Sequence, residues 1–325
     1  MNKTLILATP CVALLAACGG SSTGGVGYSD TLGKPSVAFS NGVELSPTEQ
    51  AVAQVNTDWS AARGERTTTL EDPSFVSVKK GTGDTILVMN IEGQEVRFGP
   101  QHILNLDDNG NYNSLSIEDE NGIWARIDGD NQALSDLLNG TGEQDSAQVH
   151  YFFYDSEDES NSPFGYAIVG TATNPSVLGD FTTTSYDGLM KGEAVSLDEF
   201  DSRARHRFEL RGNTTLTANF EDKAISGNIS NITYKEVNEG EPDVNGELGG
   251  NIVLSEAPIN GNSFSGAAAF DTELMNSVDA ESASISYSGN FYGDAANEAS
   301  GTIQGTVIGN DGSQDNLLGG FRTSQ

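Results

Sequence analysis

The stretch Tyr287-Ser288-Gly289-Asn290-Phe291-Tyr292-Gly293-Asp294-Ala295-Ala296-Asn297-Glu298-Ala299-Ser300-Gly301-Thr302-Ile303 decides how this chain folds. Side chains of a strand alternate between its two faces, so Phe291 is predicted to point inward while Asn290 and Tyr292 point out. Gly293 and Gly301 bracket a tight crossing between two neighbouring strands. Glycine weakens a strand, yet it permits the kinks and bulges by which a sheet closes on itself.

Working outward, short strand-like runs recur near 164–172, 181–190, 204–211, 214–221, 224–233, 249–256, 262–270, 283–292, 299–308 and 317–322. Turn chemistry separates them, as at Arg211-Gly212-Asn213 and Asn260-Gly261-Asn262. Regular short strands suggest a sandwich or an up-and-down barrel, and the many glycines inside them favour the barrel. Upstream, Ser46-Pro47-Thr48-Glu49 carries the signals of a helix start. Ala51, Val52, Val55 and Trp59 recur at helical spacing until Gly64. The period then changes to two. Phe75–Val78, Ile86–Ile91 and Gln94–Phe98 read as strands, the last two forming a hairpin across Glu92-Gly93. Tyr112–Ile117 and Ile123–Ile127 flank a turn at Glu120-Asn121-Gly122. Asp130 caps a short helix over 130–139 that Gly140 stops. Gln148–Tyr154 is a further strand running into the acidic loop 155–160. The predicted fold class is therefore mainly β: a C-terminal soluble antiparallel β-barrel of about eight strands, preceded by a smaller β-rich (α+β) domain.

Residues 164–325 resemble the β-barrel domain of the transferrin-binding protein B family, which also covers related surface lipoproteins such as factor H-binding protein. The opening stretch carries most of the likeness: a strand ending in G-x-F-Y/F-G (Gly289 to Gly293), a short turn with A-x-E (Ala296 to Glu298), then a Gly-led strand. Leu318-Gly319-Gly320-Phe321 resembles the family's closing strand, and Tyr186-Asp187-Gly188 its Tyr-x-Gly strand. Leu216-Thr217-Ala218-Asn219-Phe220 through Ile225-Ser226-Gly227 resembles a hairpin of the form L-x-x-x-F…(I/V)-x-G. The resemblance implies that residues 46–160 are the adjoining handle-like domain and 161–325 the barrel domain. It further implies capture of a protein or haem-like ligand at the cell surface, often for iron acquisition beside a TonB-dependent outer-membrane receptor. The family's larger members carry two such lobes, and this chain has length for one.

The N-terminus agrees with surface display. One positive charge at Lys3 precedes an apolar run from Leu5 to Leu15 that is too short to span a bilayer. The run ends Leu15-Ala16-Ala17-Cys18-Gly19, which resembles the bacterial lipobox. Residues 1–17 are thus expected to be a signal peptide, with signal peptidase II cutting between Ala17 and Cys18. Cys18 is expected to be the lipidated first residue, bearing palmitate-like acyl chains. Each buried CH₂ adds ~0.8 kcal/mol of membrane affinity, so several chains hold a domain firmly. Gly19-Gly20-Ser21-Ser22-Thr23-Gly24-Gly25 opens a flexible tether extending over 18–45. Gly19, where an aspartate would favour inner-membrane retention, points by analogy to the outer membrane. Many strand positions are Ser, Thr, Gly or Asn on both faces, unlike the lipid-facing alternation of a membrane-spanning barrel.

Composition narrows the function classes. The chain has 47 acidic and 16 basic residues, a formal net charge of −31. Nucleic acid and anionic lipid surfaces are repelled by such a field, while a cationic partner or simple solubility in salty surroundings remain open readings. Of the two cysteines, Cys11 leaves with the signal and Cys18 carries lipid, so no disulfide or thiol chemistry is expected. The histidines are His102, His150 and His206, and none sits in a nucleophile or metal motif. Asp107, Asn109, Asn111 and Glu118 match oxygen-ligand positions of a calcium loop, but Tyr112 stands where glycine is required, so a hairpin turn is the expected reading. No cofactor, metal or catalytic residue is assigned. The expectation is a binding module rather than an enzyme, with a structural or adhesive surface lipoprotein as the alternative.

Overall fold

In the barrel, alternation of apolar and small polar residues sets the strands. Along Arg207–Asn219, Leu210, Gly212, Thr214, Leu216 and Ala218 are buried, while Arg211, Asn213, Thr215 and Thr217 are exposed. The computed structural model describes residues 52–60, 65–71, 76–80, 87–91, 94–104, 114–118, 122–129, 145–155, 163–196, 207–237 and 242–325.

Three sheets make up these residues. The first has six strands in the order β2 (Glu65–Glu71), β1 (Val52–Ser60), β9 (Phe164–Gly170), β8 (Ser146–Asp155), β7 (Ile123–Gly129) and β6 (Ser114–Glu118). The second has β3 (Val76–Lys80), β4 (Leu87–Ile91) and β5 (Gln94–Phe98). The third runs β11 (Arg207–Asn219), β10 (Thr183–Ser196), β18 (Gln314–Ser324), β17 (Glu298–Gly309), β16 (Ala280–Tyr292), β15 (Ser263–Phe270), β14 (Ile252–Asn260) and β12 (Ala224–Val237). Pairing of β11 with β12 closes this third sheet into an antiparallel eight-stranded barrel, and β13 (Val244–Glu247) lies beside the far end of β12. The expected fold class, mainly β with a barrel of about eight strands, therefore holds.

The barrel interior is filled, and its glycines are complementary to its large side chains. A Cβ on Gly266 would meet the Tyr287 ring at 2.9 Å, and one on Gly301 would meet Phe321 at 2.6 Å. On Gly212 it would meet Ile229 at 2.6 Å. Bulky residues thus lie over bare backbone on the neighbouring strand, as a small barrel packed with side chains requires. Both ends are plugged. A 3₁₀ turn, Pro175–Asp180, is capped by Asn174 Oδ1 accepting from Ser176 N at 3.0 Å, and it inserts Leu178. A short helix, α1 (Thr272–Ser277), is capped by Asp271 Oδ1 accepting from Leu274 N at 2.8 Å, and it inserts Leu274.

Three expectations are corrected and one is refined. The helix read from Ser46 to Gly64 is, where described, strand β1. Its apolar residues Ala53, Val55 and Trp59 also fit a period of two, and free backbone edges on β9 and β2 supply the ladder bonds that decide between the readings. The turn read at Arg211-Gly212-Asn213 is a bulge inside one continuous strand, β11, where the register with β12 shifts between Arg211 and Asn213. The run near 164–172, grouped by sequence with the barrel domain 161–325, is β9 of the six-stranded sheet, because its backbone pairs with β8 and β1. Asn290 and Tyr292 do leave the barrel interior, yet they are buried, since the six-stranded sheet covers that side of the barrel. The helix read over 130–139, the acidic loop over 156–160 and the start at Ser46-Pro47 lie outside the described residues.

Strands β8 and β9 are consequently buried on both faces. Ala147, Val149, Tyr151, Phe153, Ala167 and Val169 pack with Leu87, Met89, Val96, Phe98, Leu115 and Ile127 in a first core. The alternate residues Phe152, Phe164 and Tyr166 pack with Leu318 and Val195 of the barrel, and Ile168 packs with Tyr292. Strands buried on both faces read as near-continuous apolar runs, which is how Gln148–Tyr154 stands out in the sequence.

Candidate functional site

The barrel interior is packed and holds Leu178 and Leu274 at its ends, so the described polar groups gather at the joint between sheet and barrel. The joint is richer in polar groups. At the end where β16 turns into β17, Glu298 is buried against the sheet. Its carboxylate accepts from Ser146 Oγ at 2.5 Å and from Asp145 N at 3.2 Å. Burial raises the Glu298 pKa, while the Ser146 hydrogen bond and Arg322 pull it back. Gly293, with φ +85°, leaves room for the Asp145 carboxylate, and Asn297 Nδ2 donates to Asp145 Oδ2 at 3.2 Å. Midway, Gln148 Nε2 donates to the Lys191 carbonyl at 3.2 Å, in space that a side chain on Gly320 would occupy.

At the other end of the joint, His150 of β8 stacks on Tyr166 of β9, with ring centroids 4.3 Å apart and 6° between planes. Its Nε2 lies 3.3 Å from Glu193 Oε1 of β10. Glu193 is 2% exposed; it accepts from Tyr166 OH at 3.4 Å, and Arg207 Nε of β11 lies 3.6 Å from it as an ion pair without a hydrogen bond. Arg207 Nη2 is held by Glu209 Oε1 at 2.7 Å. Burial, then the charges of Arg207 and Arg126, push the His150 pKa down to about 3. The imidazole is therefore neutral at physiological pH, and its closeness to Glu193 is a polar contact rather than an ion pair. Burial and the neighbouring Glu193 charge raise the Tyr166 pKa well above its ordinary value.

The structure separates the residues that the sequence singled out. His150 lies in the joint. His102 ends a 3₁₀ turn, Pro100–His102, where its Nδ1 accepts from Gly99 N at 2.9 Å and its ring meets the Phe98 edge. Ala17, Cys18 and His206 lie outside the described residues, as do Asp107, Asn109 and Asn111; Glu118 ends β6. Among the described residues no three His, Cys, Asp or Glu side chains converge as a metal site would need. Sequence reasoning passed over Asp145, Ser146 and Glu193, and met Glu298 only as part of the A-x-E turn. The available signal was a polar residue at every second position of Ser146-Ala147-Gln148-Val149-His150, in a strand otherwise apolar.

The stretch that opened the sequence reading now has a structural role. Thr173 N donates to the Phe291 carbonyl at 2.9 Å, Gly293 N to the Thr171 carbonyl at 2.9 Å, and Thr173 Oγ1 to the Gly293 carbonyl at 2.7 Å. The G-x-F-Y-G segment is where the connection from sheet to barrel is stapled down.

Residues 178–325 match the family model described as the C-lobe and N-lobe β-barrels of transferrin-binding protein B. This stretch is similar to those barrels. The family so described is one of binding proteins. Among solved structures, a double mutant of transferrin-binding protein B from Haemophilus parasuis is 15% identical, with TM-score 0.41; the alignment covers 89% of this chain and 47% of that one. Transferrin-binding protein B from Neisseria meningitidis is likewise 15% identical, with TM-score 0.41 and coverage of 89% and 45%. HpuA from Kingella denitrificans, in complex with human haemoglobin, is 15% identical, with TM-score 0.34 and coverage of 89% and 90%. This chain thus spans about half the length of the transferrin-binding protein B structures. Among curated protein sequences none matches it. The barrel of this chain has its described interior filled by side chains.

Proposed function

We propose that this chain is a lipid-anchored binding protein of the outer membrane, displayed at the cell surface, that captures an iron- or haem-bearing protein for an outer-membrane receptor of the TonB-dependent class. In this reading residues 1–17 are removed, Cys18 carries the acyl chains and 18–45 form the tether. The handle-like domain and the barrel then present the ligand surface. The observation that carries the proposal is the match of residues 178–325 to the model of the transferrin-binding protein B barrels, in a barrel whose packed interior leaves outer loops for binding. The lipobox at Ala17-Cys18 supports the anchor. The strongly acidic balance agrees with a ligand offering a basic face, and it disfavours nucleic acid.

The test is capture on the immobilised chain of transferrin, haemoglobin and free haem, presented separately, from cells grown with and without iron limitation. Retention of one of them at micromolar concentration or tighter is the expected result. Binding to none, combined with adhesion of the protein to host or matrix surfaces, would replace the proposal with a structural or adhesive role. The anchor has its own test. Cys18→Ser should abolish incorporation of labelled palmitate and release the protein from the membrane fraction; incorporation that persists would place the lipid elsewhere.

A further inference from the structure

The joint between sheet and barrel is built differently at its two ends. Where β9 leads into the barrel, residues 171–173 are stapled to 291–293 by backbone bonds of 2.9 Å, and Glu298 and Ser146 bond across the joint at 2.5 Å. At the far end the contacts of His150, Tyr166 and Arg207 with Glu193, among the described residues, are longer, at 3.3, 3.4 and 3.6 Å. Among the described residues, the buried His150 Nε2 and Arg207 Nε find no acceptor in hydrogen-bonding geometry there. Unsatisfied buried polar atoms cost free energy, so this end is the cheaper one to open.

We propose that His150, with Tyr166, Glu193 and Arg207, forms an acid-released latch that lets the six-stranded sheet swing from the barrel about a hinge at residues 171–173. In the latched state the imidazole lies between Tyr166 and Phe152, whose rings are 4.3 and 4.1 Å away, with its side chain 16% exposed. The charged groups facing it are Arg126 and Asp128 on β7, Glu193 and Lys191 on β10, and Arg207 and Glu209 on β11; the Tyr166 hydroxyl faces it from β9. The positive charges are already matched: Arg126 binds Asp128 at 2.9 Å, and Arg207 binds Glu209 at 2.7 Å while leaning on Glu193. Glu193 is therefore shared before an imidazolium could claim it, and protonation in the latched state is opposed by burial and by two guanidiniums. Once released, His150 faces water and regains its ordinary basicity. Protons consequently bind the released state in preference and draw the equilibrium toward it. At neutral pH, burial of Phe152, Phe164 and Leu318 against one another holds the joint closed.

The two states differ in whether Leu318, buried in the joint, can be reached from solvent. The test uses the full chain with Cys11 and Cys18 replaced by Ser and one new thiol, in the Leu318→Cys variant. Its labelling rate by a pyridyl disulfide is normalised at each pH to that of the urea-unfolded chain. With the imidazole pKa at about 3 when latched and 6.5 when released, the released-to-latched ratio, and so the normalised rate, should rise about thirty-fold between pH 7.5 and pH 5. The same measurement on the Ile303→Cys variant, whose thiol would lie inside the barrel, should stay nearly flat. Adding His150→Phe, which keeps the stacking and cannot be protonated, should remove the rise; His150→Gln serves the same purpose if the Phe variant does not fold. An unchanged Leu318→Cys rate, a rise that survives loss of His150, or a parallel rise in Ile303→Cys would each overturn the latch.

Discussion

Phe291 is the residue on which the barrel core can be tested most directly. It is 0% exposed and sits among three other rings: Phe220 at 5.1 Å, Phe264 at 5.5 Å and Tyr186 at 5.9 Å between centroids. Phe291→Ala removes the transfer free energy of the ring and leaves a cavity whose aromatic lining cannot collapse far, a loss of about 4 kcal/mol. Domains of this kind have about 5–15 kcal/mol in total, so the variant should fold but lose a large part of its margin. With a urea slope of about 3 kcal/mol/M, the unfolding midpoint should fall by a little over 1 M. The assay has a useful built-in division. Both tryptophans, Trp59 in β1 and Trp124 in β7, lie in the six-stranded sheet, so fluorescence follows the sheet while far-UV circular dichroism follows the whole. If the joint couples the two bodies, both signals should move together. Ser286→Ala, exposed on the same strand, should shift the midpoint by no more than ~0.5 kcal/mol. A loss below ~1 kcal/mol for Phe291→Ala would refute the inward placement of this ring. A circular dichroism shift without a fluorescence shift would refute the coupling.

Three further outcomes follow from the same packing. Gly293→Ala should cost about 1–3 kcal/mol by thermal melting, because its φ of +85° suits glycine and the new methyl would strike the Asp145 carboxylate; an unchanged melting temperature would contradict that contact. Gly212→Val should destabilise by about 1–3 kcal/mol through collision with Ile229, measured against the exposed Asn213→Val as control. Glu298→Gln should raise the melting temperature at pH 7, and the gain should shrink toward pH 4. A carboxyl whose folded pKa is raised favours folding below its unfolded value and opposes it as pH climbs, and the amide removes the buried charge while keeping an acceptor for Asp145 N. A gain that grows on acidification would reverse the assigned sign.

The sequence by itself determined the class of the molecule. Period-two alternation, Gly-centred turns such as Asn260-Gly261-Asn262, and glycines placed inside strands are local signals; they narrowed the fold to a sandwich or a barrel and favoured the barrel. The turn at Gly261 needs φ of +64°, which glycine reaches without strain, so that reading did not depend on any distant contact. Local signals failed where two readings shared the same residues. Val55 and Trp59 satisfy both a helix and a strand, and pairing with β2 and with β9, the latter more than a hundred residues away, selects the strand. Arg211-Gly212-Asn213 looks like a turn because Gly and Asn favour turns, but the long ladder with β12 carries the chain straight through it as a bulge.

The candidate site was even less legible. Asp145 and His150 lie on one segment, Glu193 and Glu298 on two others far along the chain, and each alone is an ordinary polar residue in or beside a strand. Their burial comes from one sheet lying on the outside of another, an arrangement with no sequence period, because the outward face of a barrel strand has the same two-residue repeat whether water or protein covers it. Tertiary structure alone decided that the outward Tyr292 is 0% exposed and that His150 is a neutral, mostly buried group. Periodicity along the chain says which side chains share a face; what that face touches is settled only when the sheets pack.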